Sequence, residues 1–156
     1  MYDVSALLTP QFVMCGIQGH SRKRVLQTAA QNMADGEINA DKLFDGLMER
    51  ERLGSTGLGD GVAIPHCRMP CSTIRGMLLT LTDEVDFEAP DNSKVNLIFV
   101  LVVPEDEARL HLDALASLSS IFSDPDKRAA LQRCGSADDV IATLRSYVQA
   151  DQQTGT

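Results

Sequence analysis

Basic residues are scarce in this chain: 14 lysines and arginines stand against 22 acidic residues in 156, a formal net charge of -8. That balance disfavours nucleic acid or an anionic membrane as the main partner, because both are polyanions that select cationic surfaces. Arg22, Lys23 and Arg24 form the only basic cluster, which reads as a solvated helix face. Long apolar runs are missing as well. The longest, Leu97 to Val103, falls far short of the ~20 residues that span a bilayer and fits a buried strand. The N-terminus has no basic stretch leading into an apolar one, so no signal peptide is expected. Four cysteines, Cys15, Cys67, Cys71 and Cys134, are too sparse for a disulfide framework and point to a reduced cytoplasm. No glycine-rich stretch ends in Gly-Lys-Ser/Thr, which excludes a P-loop. Gly57, Gly59 and Gly61 miss the dinucleotide-binding spacing and follow a predicted helix rather than a strand. Neither a repeat nor a linker appears. The length and a hydrophobic content of 44% suit one domain over residues 1–150, with a frayed tail at 151–156.

What is present reads as alternating strands and helices. Phe12 to Ile17 is a first strand. Ser21 caps a helix to about Asp35, with Val25, Ala29 and Met33 on one face and Gly36 at its stop. Asn39 caps a second helix to about Leu53, with Leu43, Phe44, Leu47 and Met48 as its core stripe and Gly54 at its end. A short strand follows at Val62 to Ile64, then stronger ones at Gly76 to Thr82 and Val95 to Val103, separated by the turn formers Asp91, Asn92 and Ser93. A long helix is predicted from about Glu105 to Phe122. Asp124 and Pro125 start a shorter one that Gly135 stops, and Ser136 caps a last helix. This order predicts a layered α/β domain with helices on both faces of a mixed sheet.

The segment GSTGLGDGVAIPHC, Gly54 to Cys67, carries the chemistry. Glycines allow close backbone approach, and Pro65 stiffens the edge that presents His66 at a strand end. A lone histidine there is more often structural; the costly run of glycines reverses that preference. His111 shares the core-facing stripe of its helix with Leu115, Leu118 and Phe122, and otherwise reads as a histidine at the core rim. Arg50 sits at the end of the second helix's apolar stripe, where a cation suits the helix terminus, but Arg52 is an equal candidate on spacing. A neutral imidazole beside a cation and a second imidazole suits phosphoryl transfer. The attacking nitrogen must be unprotonated, and the other should donate its proton to a carbonyl.

These residues resemble a known family. RERLGSTGLGDGVAIPHC, Arg50 to Cys67, is similar to the active-site signature of enzyme IIA in the fructose–mannitol class of the bacterial phosphotransferase system. VLVVPEDEARLHLDALASL, Val100 to Leu118, resembles that family's second-histidine region. The resemblance runs from about Val4 to Val148 and is strongest to the nitrogen-regulatory, PtsN-like branch. It implies a three-layer αβα sandwich around a mixed sheet. It makes His66 the phosphorylated histidine on Nε2, His111 the second active-site histidine, and Arg50 rather than Arg52 the motif arginine. Ser55 and Thr56 become candidate hydroxyl contacts in the phosphoryl loop.

The resemblance also implies a phosphoryl donor, HPr or a paralogue charged from phosphoenolpyruvate by an enzyme I, and neither cofactor nor metal. Cys67 and Cys71 with His66 would make a poor metal cage in one short loop, so Cys67 reads as an ordinary buried cysteine. His20 matches no catalytic position. Three functions compete: a cytoplasmic phosphocarrier that regulates partner proteins through its phosphorylation state, a sugar-transport IIA subunit that passes phosphate to a IIB domain, and a binding module that keeps only the fold. The regulated target is not specified by these residues.

Overall fold

A stretch that is apolar at every position, as Val95 to Val103 nearly is, can be satisfied only with both faces covered. In a computed structural model, which describes residues 2–154 and side chains to residue 148, this stretch is the central strand β6 (Val95–Pro104). Its antiparallel neighbour is β5 (Arg75–Val85), and β1 (Val13–Ile17) lies parallel beyond β5. On the other side β3 (Val62–Ala63) and β4 (His66–Met69) both pair parallel with β6, and β2 (Gly57–Gly59) pairs antiparallel with β3. The sheet is therefore mixed, in the order β1-β5-β6-β3-β2.

Alternation along β6 divides the core in two. Leu97, Phe99, Leu101 and Val103 pack with Leu118, Ile121 and Phe122 of α3 (Ala108–Phe122), Leu131 of α4 (Pro125–Arg133), and Val140 and Leu144 of α5 (Ala137–Thr154). Ile98, Val100 and Val102 pack on the opposite face with Val25, Leu26 and Ala29 of α1 (Arg22–Met33) and with Leu43 and Leu47 of α2 (Ala40–Leu53). This is the expected α/β sandwich of three layers. Full burial of each such side chain contributes about 1.5–3 kcal/mol, so β6 is the main anchor of both cores.

β3 and β4 are one strand line interrupted by proline. Val62 lies opposite Leu97 and His66 opposite Leu101, so the register passes unchanged through Ile64 and Pro65. Leu101 N–H donates to the Pro65 carbonyl at 2.9 Å, but Pro65 has no N–H to return.

Several local expectations need correction. His66 does not end the Val62–Ile64 strand; it opens β4, because pairing resumes after Pro65. α1 stops at Met33, before Asp35, and Gly36 is not its stop. Ala34 is extended, and the Asp35 carboxylate accepts from the backbone N–H of Glu37 and Ile38, which turns the chain. α3 starts at Ala108 because a turn, Glu107 N–H to Pro104 O at 3.0 Å, intervenes. α4 ends at Arg133 with Cys134 extended, ahead of Gly135. On α2 the buried positions are Leu43, Leu47 and Glu51, while Phe44 and Met48 are only partly covered. The predicted caps at Ser21, Asn39, Asp124 and Ser136 all form. The tail expected from 151 overlaps α5, which is helical to Thr154; residues 155 and 156 lie outside the described residues.

Candidate active site

His66 points to the α3 face because it occupies the same register position as Leu101, whose side chain packs in that core. His111 closes the first turn of α3, its N–H bonded to the Glu107 carbonyl at 3.1 Å. The two imidazoles meet edge to face with ring centroids 5.1 Å apart and planes at 68°. Arg50 reaches the same point from the last turn of α2. That helix lies close to β4 because residue 46 is glycine; a Cβ there would sit 3.3 Å from Cys67 Sγ.

Hydrogen bonds fix the chemistry of His66. Nδ1 lies 2.7 Å from the Ile64 carbonyl, which can only accept, so Nδ1 carries the proton. Nε2 is then the lone-pair nitrogen, and Arg50 donates its Nε–H to it at 3.2 Å. A second Arg50 donor, Nη1, holds the Gly54 carbonyl at 2.7 Å. Burial, aided by the Arg50 charge and opposed by the Ile64 carbonyl, pushes the His66 pKa below its ordinary value. Burial first, then His66, Arg68 and Arg50, lower that of His111. Both rings are thereby held neutral at pH 7. His111 Nε2 is buried and makes no hydrogen bond to protein among the described residues.

His66, His111 and Arg50 are thus brought together. Arg52 points away, paired with Glu49 at 2.7 Å in solvent. Ser55 and Thr56 lie in the adjoining loop, but their hydroxyls face inward: Ser55 donates to the Phe87 carbonyl and accepts from Gly57 N–H, while buried Thr56 donates to Glu51. His20 is exposed, with its backbone in the left-handed region. Cys67 is buried on the opposite face from His66, and burial pushes its thiol up to about 12. Among the described residues no group of three or more His, Cys, Asp or Glu side chains is placed to hold a metal ion. The residue missed from sequence is Glu51. Its signal was present, since Leu43, Leu47 and Glu51 recur every four positions on the buried side of α2.

Residues 6–147 match the model of the family described as phosphoenolpyruvate-dependent sugar phosphotransferase system, EIIA 2. A nitrogen regulatory protein of Pseudomonas aeruginosa is 38% identical over 141 residues, which is 88% of this chain and 92% of that protein. The crystal structure of the nitrogen regulatory protein IIA-Ntr from Neisseria meningitidis superposes with a TM-score of 0.87 at 35% identity, covering 90% of this chain and 98% of the other. A structure of enzyme IIAMTL in complex with phosphorylated enzyme IIBMTL, from Escherichia coli, shares the fold at a TM-score of 0.76 and 17% identity, over 89% of this chain and 97% of that one. No helix among the described residues is long and apolar enough to cross a membrane. By sequence and by fold, the chain belongs to the EIIA 2 family of the phosphoenolpyruvate-dependent phosphotransferase system, in its nitrogen-regulatory branch.

Proposed function

We propose that this chain is a cytoplasmic phosphocarrier, a single domain over residues 1–150, that takes a phosphoryl group onto His66 Nε2 from a phosphohistidine on an HPr-like protein and regulates partner proteins through its phosphorylation state. The observation that carries this reading is the pair of contacts on one ring: Nδ1 tied to the Ile64 carbonyl at 2.7 Å and Nε2 touched by Arg50 at 3.2 Å.

The transfer balances without an external base. The Nε2 lone pair attacks phosphorus, the N–P bond to the donor imidazole breaks, and that ring keeps the bonding pair. The proton stays on Nδ1, which keeps donating to the Ile64 carbonyl. Arg50 Nε–H moves from Nε2 to a phosphoryl oxygen, so the guanidinium guards the lone pair before transfer and neutralises charge during it. His111 offers its unpartnered Nε2 as an N–H donor to a second phosphoryl oxygen. Phosphorylation adds roughly two negative charges on a surface that exposes Leu53, Leu58 and Leu112 from the segments bearing the site residues, which changes the partners it fits.

Incubation with enzyme I, an HPr-like carrier and phosphoenolpyruvate should place acid-labile phosphate on His66. Undiminished label on a His66→Ala variant overturns the assignment. The nitrogen-regulatory relatives at 38% and 35% identity favour regulation over onward transfer to a sugar-specific IIB protein; efficient transfer to such a protein would reverse that preference.

A further inference from the structure

Glu51 is a buried charged side chain that the transfer step does not use. It follows Arg50 in the last turn of α2, and its side chain is 1% exposed. Its carboxylate accepts from the Thr56 hydroxyl and from Thr56 N–H at 3.4 Å, and it faces Arg22 Nη1 at 3.5 Å. Burial raises the pKa of this carboxyl, and the Thr56 donors with the Arg22 and Arg50 charges oppose the rise; a donor that leaves would strand a polar group away from water, which holds Thr56 in place.

Two routes run from the clamped segment to the reacting nitrogen. The Gly54 carbonyl, at the head of the segment, accepts from Arg50 Nη1 at 2.7 Å. The Thr56 carbonyl, at its foot, accepts from Ile64 N–H at 3.0 Å, and the Ile64 carbonyl in turn holds His66 Nδ1 at 2.7 Å. Residues 54–56 therefore fix both the guanidinium and the carbonyl that sets the His66 tautomer.

We propose that Glu51 is a positioning residue for phosphoryl transfer: by gripping Thr56 it keeps the Ile64 carbonyl on His66 Nδ1 and the Gly54 carbonyl on Arg50, and so makes Nε2 the nucleophilic nitrogen. The kinetic part rests on the function proposed above; the effect on the His66 ring does not.

The test is ring-nitrogen NMR of His66 in the full-length protein, read beside the rate of transfer from a phosphorylated carrier. Wild type should show one tautomer, with the proton on Nδ1. Glu51→Ala, and Thr56→Val, which removes the hydroxyl donor but keeps the shape, should introduce the Nε2–H tautomer of His66. Both should slow transfer by about 10- to 100-fold, the range seen when the hydrogen-bond partners that orient metal-ligating histidines are removed. Glu51→Gln, which keeps an acceptor for the hydroxyl, should recover much of both readouts. Folded variants that melt earlier but keep the wild-type tautomer and rate would overturn the proposal. If Glu51→Ala does not fold, Thr56→Val decides by the same criteria. A shifted tautomer in a protein that no carrier phosphorylates would leave the positioning role standing and remove the transfer function.

Discussion

Replacing each of the two arginines at the end of α2 separates a site residue from a surface one. Arg50 donates Nε–H to His66 Nε2 at 3.2 Å and Nη1–H to the Gly54 carbonyl at 2.7 Å. Arg52, two residues on, has a side chain 72% exposed and, among the described residues, paired with Glu49. During transfer three equatorial oxygens carry the negative charge, and Arg50 is the cation in contact with the attacking nitrogen. Removing one such pre-aimed donor costs about 2.7–4 kcal/mol of barrier, or about 10²–10³-fold in rate. Arg50→Ala should therefore slow single-turnover transfer from a phosphorylated carrier by about 10²-fold or more. Arg50→Lys should fall between, because lysine restores the charge but not the fork that reaches both Nε2 and the Gly54 carbonyl. Arg52→Ala should stay within about twofold, since exposed ion pairs contribute little. Circular dichroism should show all three folded, as neither guanidinium lines either core. A larger defect in Arg52→Ala than in Arg50→Ala would refute the reasoning.

Three other outcomes follow from the same geometry. Folding holds the His66 and His111 pKa values below that of an unfolded histidine, about 6.5. The unfolded chain thus binds more protons just below that pH, so the stability from these rings is present above about 6.5 and lost as pH falls through the folded values; transfer should fall to half only below about pH 6.5, and a profile already halved at 6.5 would contradict the assigned neutral state. His111→Ala should slow transfer by about 10²-fold with little change in melting temperature, since its Nε2 has no hydrogen bond to lose, while His111→Gln should retain more activity by keeping an N–H; wild-type rates in the alanine variant would remove His111 from the mechanism. Gly46→Val would push into Cys67 Sγ, where a Cβ already lies at 3.3 Å. It should cost about 1–3 kcal/mol in urea unfolding, and unchanged stability would show that α2 does not need its close seat on β4.

Local patterning carried most of the architecture. The caps at Ser21, Asn39, Asp124 and Ser136, the proline at the start of α4 and the doubly apolar run of β6 are short-range signals, and each formed where its residues specify it. Element ends were less faithful. The stops at Gly36 and Gly135 did not materialise because Asp35 and an extended Cys134 turned the chain first. β2 and β4 were invisible for a related reason: strands of three and four residues owe their existence to partners β3 and β6, not to their own composition.

The chain alone marked His66, His111 and Arg50 as residues able to do phosphoryl chemistry, because motif and residue type are local properties. Spacing could not choose between Arg50 and Arg52, since one turn of helix brings both near its end; the family resemblance favoured Arg50, and the contact with His66 Nε2 across the α2–β4 seam supplies the physical reason. Which ring nitrogen is bare, whether Ser55 and Thr56 face the site or the interior, and why an acid at position 51 is tolerated in the core depend on hydrogen bonds that residue type and periodicity do not encode. Some join near neighbours, as Ile64 is to His66 and Thr56 to Glu51, and some cross the fold, as from Ser55 to Phe87 and from Arg22 to Glu51. Hydrogen-bond donors and acceptors are assigned in space, and only folding brings Ile64, Thr56 and Arg22 to the groups they satisfy.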